Sequence, residues 1–148
     1  MHRTLGLFAA TTLGVLAFSA IDQASADSLK SCTNASWEGT YGFKLVGERI
    51  GGSDPGPRAG VGEVIADGRG NISGIETKSR NGVVTPGITF NGTYNMLTDC
   101  TGTGSVTMSD TEVRNFYFVL VERSDQVLAI QTDQGRVVTI TATKQRAK

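Results

Sequence analysis

The chain has 148 residues, with 14 Lys and Arg against 14 Asp and Glu, a single histidine and two cysteines. Balanced charge offers no electrostatic handle to a nucleic acid or an anionic membrane surface, so neither is expected as a partner. The length suits one domain with a real core and is short for two.

The N-terminus reads as a secretory signal. His2 and Arg3 charge its start, an apolar run from Leu5 to Ala20 follows, and Ala24-Ser25-Ala26 supplies the small-x-small pattern that a signal peptidase cleaves. The run is too short and too rich in Gly and Thr for a membrane span, and Lys30 does not suit a lipid-modified Cys32. The expected division is a signal peptide over 1–26 and a β-barrel domain over 27–148, periplasmic or secreted, with no membrane span in the mature chain. His2, the only histidine, leaves with the signal. Cys32 and Cys100 have one pairing open to them, and an oxidising compartment favours it. With no Cys-x-x-Cys, the bridge is expected to be structural and to tie the N-terminal segment to a hairpin turn. In the simplest model it removes about 4 kcal/mol of chain entropy from the unfolded state.

From Trp37 onward the chain reads as short β segments punctuated by Gly, Asp and Asn, and no long stretch keeps a helical period. Eight strands are predicted over 37–46, 59–67, 70–79, 87–97, 102–109, 114–123, 126–133 and 136–144. Asp67-Gly68-Arg69-Gly70, Asp99-Cys100-Thr101-Gly102, Ser124-Asp125 and Asp133-Gln134-Gly135 are short turn signals that join antiparallel neighbours. Tyr41, Phe43 and Leu45 share one face of the first strand, and Phe90, Tyr94 and Met96 one face of the fourth. The sixth, from Phe116 to Val121, is apolar on both faces, so it is either covered on both sides or meets a partner through Tyr117, Val119 and Val121. Glu38-Gly39-Thr40-Tyr41 recurs as Asn91-Gly92-Thr93-Tyr94, and Asp67-x-x-Gly70-x-x-Ser73 as Asp99-x-x-Gly102-x-x-Ser105, which reads as repeated hairpin geometry. The Gly- and Pro-rich stretch from Gly47 to Arg58 is expected to stay unpaired, as a lid over one mouth or as a plain surface loop. The sheet disposes of its edges most simply by closing, which predicts an all-β, eight-stranded antiparallel up-and-down barrel of calycin-like form.

With no histidine in the mature chain, Ser-His-Asp and Cys-His nucleophiles and the ordinary zinc sites are excluded. No cofactor or metal motif is present, and Gly68-Arg69-Gly70 lacks the following helix that a dinucleotide fingerprint needs. Among the carboxylates, Glu63 and Glu76 stand out on the second and third strands. If one points inward, burial makes it a candidate proton carrier, although Val64 and Ile75 look the better inward-facing residues. The aromatic residues Tyr41, Phe43, Phe90, Tyr94, Phe116 and Phe118 form the candidate wall of a ligand cavity, with a core filled by packed side chains as the alternative.

Gly39-Thr40-Tyr41-Gly42-Phe43, Asp67-Gly68-Arg69-Gly70-Asn71-Ile72-Ser73-Gly74 and Gln131-Thr132-Asp133-Gln134-Gly135-Arg136-Val137-Val138 resemble a pattern of small exported bacterial proteins over roughly residues 32 to 145. The resemblance implies a small lipocalin-like or allene-oxide-cyclase-like barrel and carries no catalytic residue across. The lipocalin Gly-x-Trp is not matched, since Trp37 is followed by Glu38-Gly39. Three functions are compatible with these residues. They are binding of a small hydrophobic molecule, an envelope structural or interaction role as a homodimer or with another partner, and a histidine-free isomerase or cyclase.

Overall fold

A computed structural model describes residues 31–146, and the signal peptide expected over 1–26 lies outside them. Eight strands form: β1 (Glu38–Arg49), β2 (Gly56–Asp67), β3 (Asn71–Arg80), β4 (Val83–Met96), β5 (Thr101–Met108), β6 (Val113–Val121), β7 (Gln126–Gln131) and β8 (Arg136–Lys144). Each pairs antiparallel with the next, and β8 returns to β1 from Tyr41↔Lys144 to Arg49↔Arg136. The sheet therefore closes into an up-and-down barrel with no free edge. Helical structure among the described residues is confined to two 3-10 turns, Asn34–Ser36 and Glu122–Ser124.

Alternation along each strand sends one set of side chains inward, and the rings in that set need space. Phe43 stands opposite Gly62, Phe90 opposite Gly74, Phe118 opposite Gly102 and Phe116 opposite Gly104. A Cβ at those four glycines would lie 2.9, 2.3, 2.4 and 2.4 Å from the facing ring. Each ring thus fills the volume that its neighbour's side chain would need, and glycine at these points lets a narrow barrel hold an aromatic core.

One end of the barrel, the floor, is sealed by the N-terminal segment. Cys32 is bridged to Cys100 in the β4–β5 turn, with Cα atoms 5.0 Å apart and 68 positions between them in sequence. The Cys32 amide donates to Thr98 O at 3.1 Å, and the Met96 amide donates to Asn34 Oδ1 at 2.8 Å. The repeated Asp-x-x-Gly pattern marks two turns at this floor. Asp67 accepts from the amides of Arg69 and Asn71, and Asp99 from that of Thr101. Side-chain bonds, from the Asn71 amide to Asp67 and from the Thr101 hydroxyl to Asp99, and these backbone bonds after them hold both carboxyls below the usual range, Asp67 at about 2.

The segment from Gly47 to Arg58 departs from expectation. β1 runs to Arg49 and β2 begins at Gly56, with Gly47↔Arg58, Glu48↔Pro57 and Arg49↔Gly56 in register, so only residues 50–55 lie outside strands. Pairing of β2 with β3 ends at Arg58, so Pro57 falls at a strand end, where a missing N–H is tolerated. The short loop is held by Arg58 on Asp54 and by the Asn81 amide on Asp54 and Pro55.

Candidate functional site

The interior is stacked in three layers. At the floor, Trp37 lies with ring centroids 4.7 Å from both Tyr94 and Phe118, and Tyr41 and Phe118 are fully enclosed. Tyr41 Oη donates to Ser124 O at 2.8 Å, and Tyr94 Oη lies 2.7 Å from Trp37 O and 3.0 Å from Asn34 O. Burial pushes both phenols up, Tyr41 to about 12 with Asp125 adding to the effect, so both hydroxyls remain protonated as structural donors at neutral pH. The indole Nε1 of Trp37 has no acceptor among the described residues, which leaves one buried donor unspent in a residue 3% exposed.

Above this floor lies a cavity of about 80 Å³. Phe43, Phe90, Phe116, Val106, Ala129 and Ile140 contribute to its walls, Trp37 lines it too, and its polar lining is Glu76, Arg114 and Gln131. Of the six aromatics expected as a ligand wall, Phe43, Phe90 and Phe116 therefore face the cavity. Tyr41, Tyr94 and Phe118 pack in the core cluster with Trp37 and do not line it.

The third layer is charged. Ile75 was expected to face inward, but it lies 47% exposed on the outer wall, whereas Glu76 is 2% exposed and turned inside. Register decides this: Gly62 pairs with Glu76 and Glu63 with Ile75, so the inward phase of β3 runs Ile72, Gly74, Glu76, Lys78, Arg80. Glu63 and Glu76 consequently occupy opposite faces of the sheet. Both Glu76 oxygens accept from Arg114, each at 2.9 Å, in a bidentate pair that roofs the apolar cavity. With both oxygens engaged by one guanidinium, Glu76 is anchored in place.

Glu112, in the β5–β6 turn, is the hub of the layer. Arg80, Arg114 and Arg136 all bond to its carboxylate, Lys78 Nζ lies 3.6 Å away, and Lys78 is also paired with Asp110. Burial alone would raise the Glu112 pKa, but the Arg114 charge and the bonds from Arg136 and Arg114 outweigh it and hold the group at about 2. Burial alone would lower Arg114, but Glu76 above all, and Glu112 with it, outweigh that and raise it. Arg49 and Arg58 line this charged chamber as well, so its cations outnumber its carboxylates. The chamber has about 20 Å³ of space, enough for one water-sized group, and shares Leu45, Glu76, Arg114 and Gln131 with the apolar cavity below.

No protein-family model and no curated protein matches the chain. Among solved structures it is similar to a de novo designed fluorescence-activating β-barrel, at 16% identity and a TM-score of 0.54, covering 75% of this chain and 96% of that one. A second likeness is to a redesigned β-barrel, at 14% identity and a TM-score of 0.51, covering 76% and 95%. At such identities the likeness establishes the barrel fold alone. Among the described residues no helix is long and apolar enough to cross a membrane, and no group of His, Cys, Asp and Glu is arranged to hold a metal ion.

Proposed function

We propose that this is an exported protein, periplasmic or secreted, that holds a small, largely apolar molecule between the aromatic floor and the Glu76–Arg114 roof. The observation that carries the reading is the apolar cavity itself, since well-packed cores leave few voids of this size. The disulfide fits an oxidising compartment. At about 80 Å³ the space is far below the roughly 300–1,000 Å³ typical of drug-sized ligands, so the enclosed part of the guest is a chain or ring of a few carbons.

Purification from the natural host, followed by solvent extraction and mass spectrometry, tests this. A reproducible small molecule at one per chain is the expected result. Protein that yields none, and whose melting temperature is unmoved by small alcohols and hydrocarbons, would refute it.

A second reading rests on the outer wall. Tyr117 and Val119 of β6 face Ile130 and Leu128 of β7, and Tyr117, Leu128 and Ile130 are each more than 40% exposed, an apolar strip suited to a second copy of the chain. Sedimentation as a strict monomer at micromolar concentration would end that reading.

A further inference from the structure

The charged layer is an unusual lid for an apolar cavity. Several guanidinium and ammonium groups are drawn into the barrel mouth, at a desolvation penalty that carboxylates must offset. The carboxylate with the most partners, Glu112, does not stand within a strand. It belongs to the four-residue link between β5 and β6, and it reaches the cluster from the barrel rim. That link also contains Thr111 at φ 70, a conformation that a β-branched residue adopts only under strain. Arg114 is common to both chambers: its Nη2 donates to both Glu112 and Glu76, its Nη1 donates to Glu76, and it lines the apolar cavity as well.

We propose that Glu112 is a built-in stand-in for a ligand head group, and that the molecule this barrel takes is a small carboxylic acid. Its carboxylate replaces that of Glu112 among Arg80, Arg114 and Arg136, and its apolar part passes the Glu76–Arg114 pair, at the wall of Leu45, Glu76, Arg114 and Gln131 that the two chambers share, into the cavity below. The inference rests on the cavity being a ligand site and adds the chemistry of the head group. Three features lead to it. The arginines already hold a carboxylate, so the geometry they present is competent for one. Exchanging one carboxylate for another leaves the charge balance of the mouth unchanged, which a neutral or cationic head would not do. The displaced group sits on a turn at the rim, so the exchange requires the turn to swing outward and the Glu76–Arg114 side chains to move aside, and no strand to part.

Trp37 is the only tryptophan and lines the cavity, so its emission reports occupancy directly. Hexanoate and 1-hexanol, matched in carbon number and different in head group, are titrated into the disulfide-bonded protein at neutral pH. The expected result is that hexanoate binds at least about tenfold more tightly than hexanol. Glu112→Gln, which removes the competing charge, should tighten hexanoate by about tenfold or more and leave hexanol unchanged. Arg136→Gln, which removes a donor at the rim, should weaken hexanoate alone. If both probes bind equally and Glu112→Gln alters neither, the head-group inference is wrong while the cavity reading stands. If neither probe binds the wild-type protein or Glu112→Gln, both fail together. Weaker hexanoate binding in a folded Glu112→Gln protein would also overturn the stand-in role.

Discussion

Replacing Arg114 with Met should destabilise the barrel far more than replacing Glu76 with Met, although the two share one ion pair. Glu76 is the more deeply enclosed, its side chain 1% exposed, and both of its oxygens depend on Arg114. Arg114→Met therefore leaves a buried carboxylate without its only ion-pair partner among the described residues, a loss of about 3–5 kcal/mol. For a domain of this size that amounts to a drop of about 12–20 °C in melting temperature. Glu76→Met leaves Arg114 with Glu112, 3.1 Å away and nearer solvent, so its cost should be about 1–2 kcal/mol. The double variant removes both charges from the roof and extends the apolar cavity upward. It should lie within about 1 kcal/mol of wild type, giving a coupling of about 3 kcal/mol or more. Urea unfolding followed by far-UV circular dichroism, with the disulfide intact, measures all four corners of the cycle. Equal costs for the two single variants, or a double variant as unstable as their sum, would refute the assignment of Glu76 and Arg114 as a buried pair.

Acid should weaken the fold in a defined window. Folding lowers Glu112 from its ordinary 4.5 to about 2, so its contribution is complete above about pH 4.5 and is lost as the pH falls toward 2; urea midpoints should decline across that window. Glu112→Gln should flatten the decline in part, the remaining slope belonging to Asp67, Asp99 and Asp110, and an unchanged slope would count against the hub. Gly104→Ala places a methyl group 2.4 Å from the Phe116 ring and should cost about 1–3 kcal/mol in the same urea assay, with a larger Phe116→Leu/Gly104→Ala recovery than additivity allows. Replacing Cys32 and Cys100 together with Ala should cost about 4 kcal/mol by loss of a 68-position crosslink, and a change below about 1 kcal/mol would deny the floor its tether.

Much of the fold was legible because it is written locally. Period-two alternation in Tyr41-Phe43-Leu45 and in Phe90-Tyr94-Met96, with Asp-Gly and Ser-Asp turns between consecutive strands, leads directly to a meander. Closure then follows from the need to remove edges. The disulfide was legible from there being only two cysteines. The site was half legible. Phe43, Phe90 and Phe116 stand where alternation puts them, but Tyr41, Tyr94 and Phe118 belong to the floor because Trp37 and the N-terminal segment pack in beneath them, a long-range event that no strand pattern carries.

The charged roof was missed for a related reason. Ile72 and Ile75 are three positions apart and cannot face the same side of one strand, and hydrophobicity alone favours Ile75 over Glu76. The decisive signal was the glycines. Gly74 is needed under Phe90 and so must face inward, which carries Glu76 and Lys78 inward with it. Their partners Arg114 and Glu112 come from β6 and the turn before it, Glu112 is bonded in turn by Arg136 of β8, and only the closed barrel brings these segments together. The stretch around Gly47 and Pro57 was misjudged because hairpin ends tolerate residues that would interrupt the middle of a sheet.

A crystal of the protein pressurised with xenon reads the interior most directly, since a dry apolar cavity of this kind takes up a polarisable atom that a packed core excludes. One xenon site is expected, bounded by Phe90, Phe116, Ala129 and Ile140 and lying beneath an intact Glu76–Arg114 pair. Absence of xenon, with Phe43 or Arg114 filling that space, would contradict the ligand-holding barrel.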